Sequence, residues 1–280
     1  VSDIAALPPL RDIIREHGLR AEKSLGQNFL LDLNLTGKIA RTAKHLKDAC
    51  VFEIGPGPGG LTRAILEGGA AHLIAVEYDP RAILALESLK TAANGRLTIV
   101  QQDALHADLT ALATLAGFRP PYVIAANLPY NIATPLLTGW LEQIHAQPSL
   151  YSEMILMFQK EVAQRIAAQS SSKAYGRLSI LSQWLCETKI AFDVPASAFT
   201  PPPKVTSSIV RLVPRERKDS IPFAVMEKLT AAAFGQRRKM IRGSLKEYLP
   251  QIEAVGLRPE ARAEELSVND FVRLAAAISA

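Results

Sequence analysis

Residues 53–60, Glu53-Ile54-Gly55-Pro56-Gly57-Pro58-Gly59-Gly60, join a continuous apolar run, Cys50–Ile54, to a segment with apolar residues at helical spacing, Leu61–Glu67. Gly55, Gly57 and Gly60 satisfy G-x-G-x-x-G at a strand-to-helix turn, where missing Cβ atoms let a ligand lie directly on the backbone. Outward from this turn the pattern repeats. Strands are expected at Leu73–Glu77, Leu97–Gln101, Tyr122–Ala126 and Met154–Phe158, with a helix over Ile83–Leu89. Apolar strands separated by helices imply a parallel sheet covered on both faces. Thr188–Val194 and Ser207–Val213, joined through Pro201–Pro203, are two further strands whose short connection permits an antiparallel pair at a sheet edge. The expected fold is α/β, a doubly wound sheet of about seven strands. Beyond Pro214 the strand signals cease, and Ile221–Leu249 and Pro259–Ile278 read as helices, with Phe234, Ile241, Leu245 and Leu249 on one apolar stripe. The expected division is residues 1–212 for the α/β domain and 213–280 for a small helical domain.

Composition excludes several classes. The 280 residues are 48% hydrophobic and 21% charged, ordinary globular usage with enough apolar area to fold. No apolar stretch approaches the ~18 residues of a membrane span. Pro8, Pro9, Arg11 and Asp12 do not form the basic-then-apolar layout of a signal peptide. Two cysteines, Cys50 and Cys186, fit a reducing cytoplasm, and the five histidines show no zinc-like spacing with them. A metal is therefore not expected. The net charge of +5 conceals an asymmetry: residues 204–246 carry eleven Lys/Arg against three Asp/Glu, a local +8 on a body of −3. Such a block suggests a polyanionic partner.

Glu77 ends the second strand 22 residues after Gly55, where a carboxylate can accept both hydrogen bonds of a ribose diol. On this motif alone NAD and S-adenosylmethionine both qualify. Pro56 and Pro58 remove amide donors that a pyrophosphate would want, which favours the methyl donor. Asp103, after the third strand, is placed to accept from an adenine amino group, although an Asp there is also an ordinary helix cap. Asn127-Leu128-Pro129-Tyr130-Asn131 follows the fourth strand, beside the glycine loop. The Asn127 side-chain carbonyl and the Leu128 backbone carbonyl can each accept one N–H of an exocyclic amine. That favours pyramidalisation and aims the nitrogen lone pair at a methyl donor. Pro129 stiffens the backbone, and Tyr130 offers a flat face on which an extruded base can stack, worth ~1–3 kcal/mol. Catalysis of this kind is positioning and electrostatic preorganisation, without a metal or a strong base.

The chain resembles the KsgA/RsmA family, the bacterial small-subunit ribosomal RNA adenine N6-dimethyltransferases. The resemblance rests on Ser24–Leu30, Glu53–Gly57 with Gly60-Leu61-Thr62, Val76–Asp79, Gln102-Asp103-Ala104, Asn127–Asn131, Phe158–Val162 and Phe199–Val205, in that order. It implies a Rossmann-like methyltransferase sheet and S-adenosylmethionine as cofactor, bound by Asn28, Leu30, Gly55, Gly57, Glu77, Asp103 and Asn127. The segment before the first strand then becomes a lid over the cofactor. It implies a base pocket of Asn127, Leu128, Pro129 and Tyr130, with Phe199 as a second aromatic wall stiffened by Pro201–Pro203. Lys204 and the basic stretch with Arg237, Arg238, Lys239, Arg242 and Lys246 are expected to meet RNA phosphates. The implied reaction is dimethylation of N6 on two adjacent adenosines near the 3′ end of 16S rRNA in an immature small subunit. The expected enzyme is a cytoplasmic monomer acting on neither DNA nor membranes. Three rivals stand beside it: a large-subunit rRNA methyltransferase of the antibiotic-resistance type, an assembly-checking factor with secondary methylation, and a nicotinamide dehydrogenase.

Overall fold

The computed structural model describes residues 3–22, 26–236 and 238–280. Its strands are β1 (Phe29–Leu30), β2 (Cys50–Ile54), β3 (His72–Glu77), β4 (Leu97–Gln101), β5 (Tyr122–Asn127), β6 (Tyr151–Gln159), β7 (Cys186–Val194), β8 (Phe199–Thr200) and β9 (Ser207–Pro214). Seven of them form one sheet in the order β4-β3-β2-β5-β6-β9-β7. The first five are parallel, and β9 runs antiparallel to both β6 and β7. The doubly wound seven-stranded sheet and its antiparallel edge match the expectation from sequence.

Helices α1 (Leu10–Glu16), α2 (Leu33–Ala40), α3 (Gly60–Glu67), α4 (Pro80–Ala92), α5 (Leu109–Leu115), α6 (Ala133–Ala146), α7 (Lys160–Ile166) and α8 (Arg177–Leu185) accompany the sheet. Alternate strand residues point to opposite faces. Val51, Leu73, Ala75 and Val123 bury against Ile65 of α3 and Leu86 of α4. Phe52, Ile54, Ile74 and Ile124 bury against Leu137 of α6 and Leu185 of α8. Both faces are apolar because both are covered, which is why these strands read as unbroken hydrophobic runs. A separate antiparallel ribbon pairs Phe29 with Thr200 and Leu30 with Phe199, so the N-terminal segment is tied to the loop preceding β9.

The C-terminal region departs from its expectation. In place of one helix over Ile221–Leu249 there are α9 (Phe223–Phe234), α10 (Ile241–Ser244), a short 3-10 turn over Lys246–Tyr248, and α11 (Leu249–Ala254). Continuity breaks after Gly235 because Met240 bridges Arg262, and the amide of Ile241 donates to the Ala261 carbonyl instead of within a helix. The second expected helix begins late, as α12 (Val268–Ser279), because Ser267 caps it reciprocally with Asp270. The apolar spacing that suggested long helices still does its packing: Ile241 and Leu245 are fully buried, in one cluster with Met226, Phe271 and Leu185.

Candidate active site

A cavity of about 230 Å³ opens beyond the carboxyl ends of β2 and β5. There the chain, having built β3 and β4 on one side of β2, returns to build β5 on the other; open α/β sheets bind ligands at this switch point. Its walls are Gly26–Leu30, the glycine loop, Glu77-Tyr78, Gln102–Leu105 and Asn127–Ile132.

The glycine loop is shaped by the segment that crosses it. Gly55 and Gly57 have φ of +66° and +53°. A Cβ on Gly57 would lie 3.2 Å from the Phe29 ring, and one on Gly60 would lie 2.7 Å from the Leu30 carbonyl oxygen. The loop is thus glycine-rich partly so that β1 can close over it, as well as to leave backbone free for a ligand.

Glu77 is held rigidly. Its Oε2 accepts from the Gly57 amide at 3.1 Å, and its Oε1 accepts from the amides of Tyr78 and Asp79 at 2.8 and 2.9 Å. Burial pushes this carboxyl above its usual range, while the three amides pull the other way. Neighbouring Asp79 accepts from Gln27 Nε2 at 3.0 Å and from the Arg81 guanidinium. Arg81 holds the Asp79 carboxyl below its ordinary value, and Arg81 also pairs with Glu22 at 2.8 Å. These contacts clasp the N-terminal segment to the end of β3.

On the opposite wall, Asn127 Nδ2 donates to the Asn28 carbonyl at 3.3 Å, and Asn28 Nδ2 donates to the Gly26 carbonyl at 3.4 Å. Tyr130 Oη and Ser207 Oγ are 2.6 Å apart, which anchors the ring to the start of β9. Leu128 is buried. Asp103 Oδ1 accepts from the Leu105 amide at 2.9 Å, so it does cap the turn that follows, and its half-exposed carboxylate still lines the cavity.

The structure therefore gathers Asn28, Leu30, Gly55, Gly57, Glu77, Asp103, Asn127, Leu128, Pro129 and Tyr130 around one cavity. Phe199 is not among its lining residues. It is 3% exposed and packs opposite Leu30 in the core beneath the two-stranded ribbon. Lys204, Arg238, Lys239, Arg242 and Lys246 are exposed away from the cavity, with Arg242 facing Glu260 at 3.8 Å. Arg237 and Ser24-Leu25 lie outside the described residues. Four members of the site escaped the sequence reading. Tyr78, 62% exposed, projects at the cavity from beside Glu77. Gln27 acts through Asp79, Ser207 acts through Tyr130 from 77 residues away, and Glu53 sits in the floor. Tyr78 and Gln27 lay within quoted motifs; Ser207 carried no local signal.

Among the described residues no cluster of His, Cys, Asp and Glu could hold a metal ion, and no helix is long and apolar enough to cross a membrane. The glycine cradle, the amide-held Glu77 and the Asp103 carboxylate fit an adenosine-bearing cofactor such as S-adenosylmethionine.

The profile of the ribosomal RNA adenine dimethylase family matches residues 18–280. The chain belongs to that family. This adenine dimethylase family member is 54% identical to the ribosomal RNA small subunit methyltransferase A of Mesorhizobium japonicum, covering 97% of this chain and 98% of the relative. It is 56% identical to the protein of that name from Rhodopseudomonas palustris, over 98% of this chain and 96% of the relative. Among solved structures it resembles a dimethyladenosine transferase from Plasmodium falciparum, with a TM-score of 0.73 and 27% identity over 87% of this chain and 94% of that one. The 23S rRNA methyltransferase ErmE shares the fold, with a TM-score of 0.67 and 24% identity over 90% of this chain and all of the other.

Proposed function

We propose that this chain transfers methyl groups from S-adenosylmethionine to N6 of two adjacent adenosines near the 3′ end of 16S rRNA, giving N6,N6-dimethyladenosine in the immature small subunit. The cofactor supplies an electrophilic methyl group on its sulfonium. The residues that would hold it are Asn28, Leu30, Gly55, Gly57, Glu77 and Asp103. The observation that carries the reading is the orientation of Asn127. Its Nδ2 is committed to the Asn28 carbonyl, so its Oδ1 is left to accept an N–H of the target amine. The Leu128 carbonyl, stiffened by Pro129, accepts the other. Both acceptors favour a pyramidal nitrogen with its lone pair free to attack, and the excess proton leaves the product amine for water. Tyr130, fixed through Ser207, supports the extruded base. Lys204, Arg237, Arg238, Lys239, Arg242 and Lys246 are assigned to phosphates.

Identity above 50% to relatives named for the small subunit, against 24% to the large-subunit enzyme, supports the small-subunit substrate. The same reading makes the protein a cytoplasmic monomer acting on neither DNA nor membranes, built as residues 1–212 for catalysis and 213–280 for the ribosome. The test is incubation with labelled S-adenosylmethionine and under-methylated small subunits, followed by nucleoside analysis. N6,N6-dimethyladenosine is expected. Its absence, or methylation of large-subunit rRNA alone, overturns the reading.

A further inference from the structure

Glu53 occupies the floor of the cavity and has no part in the chemistry above. By strand alternation it shares the face of β2 that carries Val51, which buries against α3. Glu53 is 1% exposed, and its Oε2 is buried with no hydrogen-bond partner. Thr62 Oγ1, on α3, is buried and unpartnered as well. Buried carboxylates are ordinarily paired or fully hydrogen-bonded, because an isolated one is costly in an apolar medium.

The surroundings deepen the anomaly. From β3 the charged group acting on Glu53 is Glu77, itself a carboxylate. From β5 comes Asn127 and from the N-terminal segment Asn28, both uncharged cavity residues. From α3 come Thr62 and Arg63, but an Arg63 guanidinium nitrogen donates to the Pro8 carbonyl at 2.8 Å, and no hydrogen bond or ion pair joins Arg63 to Glu53. Burial first, with Glu77 adding to it, pushes the Glu53 carboxyl up to about 8, against a weaker pull from Thr62. In the free protein at neutral pH this group is a neutral acid beside an otherwise acidic, cation-free cavity floor.

A neutral acid held against a binding cavity changes state when a cation arrives, since an opposite charge nearby favours ionisation. We infer that Glu53 is the receptor for the positive charge of S-adenosylmethionine, and that it releases its proton to solvent as the cofactor binds. The balance is simple: the acid and the cationic ligand become a carboxylate–cation contact plus one proton taken up by buffer. This rests on the reading of the cavity as a cofactor site. Two charges of the cofactor qualify, the sulfonium and the α-ammonium, and the product S-adenosylhomocysteine keeps only the second.

The test is isothermal titration of the wild-type protein with each ligand at pH 7, in buffers of differing ionisation enthalpy. With the Glu53 carboxyl at about 8, release approaches one proton per S-adenosylmethionine bound. Affinity should rise by up to tenfold from pH 6 to pH 7. Glu53→Gln should bind without proton release and without that pH dependence. Equal release with S-adenosylhomocysteine assigns the ammonium as the charge received; release with S-adenosylmethionine alone assigns the sulfonium. No release from wild type, or undiminished release from Glu53→Gln, overturns the inference. Should the variant fail to fold, the carboxyl ¹³C resonance of Glu53 in wild type decides: a shift to the ionised value on saturation supports it, and no shift overturns it. Absence of any binding instead refutes the cofactor assignment itself.

Discussion

Glu53 also makes a prediction about folding that needs no ligand. Its carboxyl stands at about 8 in the folded protein against an ordinary value of 4.5. Between those limits the folded state keeps the proton and the unfolded state has lost it. Stability therefore declines as pH rises through that window, by about 1.4 kcal/mol per pH unit, and levels off above it. Over pH 5–8 the loss is about 3–4 kcal/mol, a large share of a typical domain's stability. Glu53→Gln removes the titration but places two amide donors where no acceptor waits, a pH-independent cost of about 1–3 kcal/mol. The variant should thus be the less stable protein at pH 5, equal wild type near about pH 6, and be the more stable one at pH 8. Glu77, also raised by burial, titrates in both proteins and largely cancels in the difference. Urea unfolding of the two proteins without cofactor at pH 5, 6, 7 and 8 measures this directly. A stability difference that stays constant across the four pH values would refute the reasoning.

Four further outcomes follow from particular contacts. Gly57→Ala puts a side chain at φ +53° and 3.2 Å from the Phe29 ring, so it should lower stability by about 1–2 kcal/mol and weaken cofactor binding, checked by thermal melts and calorimetry. Tyr130→Phe and Ser207→Ala each break one hydroxyl contact, so each should slow methyl transfer about 5–10-fold, with the double variant no slower than either, as a double-mutant cycle in single-turnover assays will show. Glu153 is fully buried, pairs with Arg211 at 2.7 Å and accepts from the His45 amide; Glu153→Ala should cost about 2–4 kcal/mol in urea unfolding, because it leaves Arg211, one-fifth exposed, without its partner. Reversing Arg238 and Lys239 to Glu should weaken RNA binding without altering cofactor affinity, and should flatten the salt dependence of binding by about one unit of slope per lost phosphate contact.

The catalytic sheet was readable because strands covered on both faces must be apolar throughout. Cys50–Ile54 and Leu97–Gln101 end where the pattern says they do. The C-terminal helices were not readable at the same level. Phe234, Ile241 and Leu245 have helical spacing, yet that spacing records which residues reach the core, and the chain reaches it there through a bridge at Met240 and short turns. Phe199 shows the same limit. An aromatic residue before prolines can line a pocket or plug a core, and only the pairing of β8 with β1 buries it beneath Leu30.

The sequence alone determined the residue types of the cofactor cavity and their order, because each follows the end of a parallel strand and strand ends converge at the switch point. Tertiary structure alone decided how those groups are held and charged. The amides that fix Glu77, the Ser207 hydroxyl that anchors Tyr130 and the clasp of Gln27 on Asp79 all cross between distant segments. The unpartnered state of Glu53 is a property of the same kind. Glu53 in a linear motif is one more acid among 27 Asp/Glu. Folding removes its water and supplies Glu77 as its charged neighbour, and that turns an ordinary carboxylate into a proton-bearing floor for a cationic ligand.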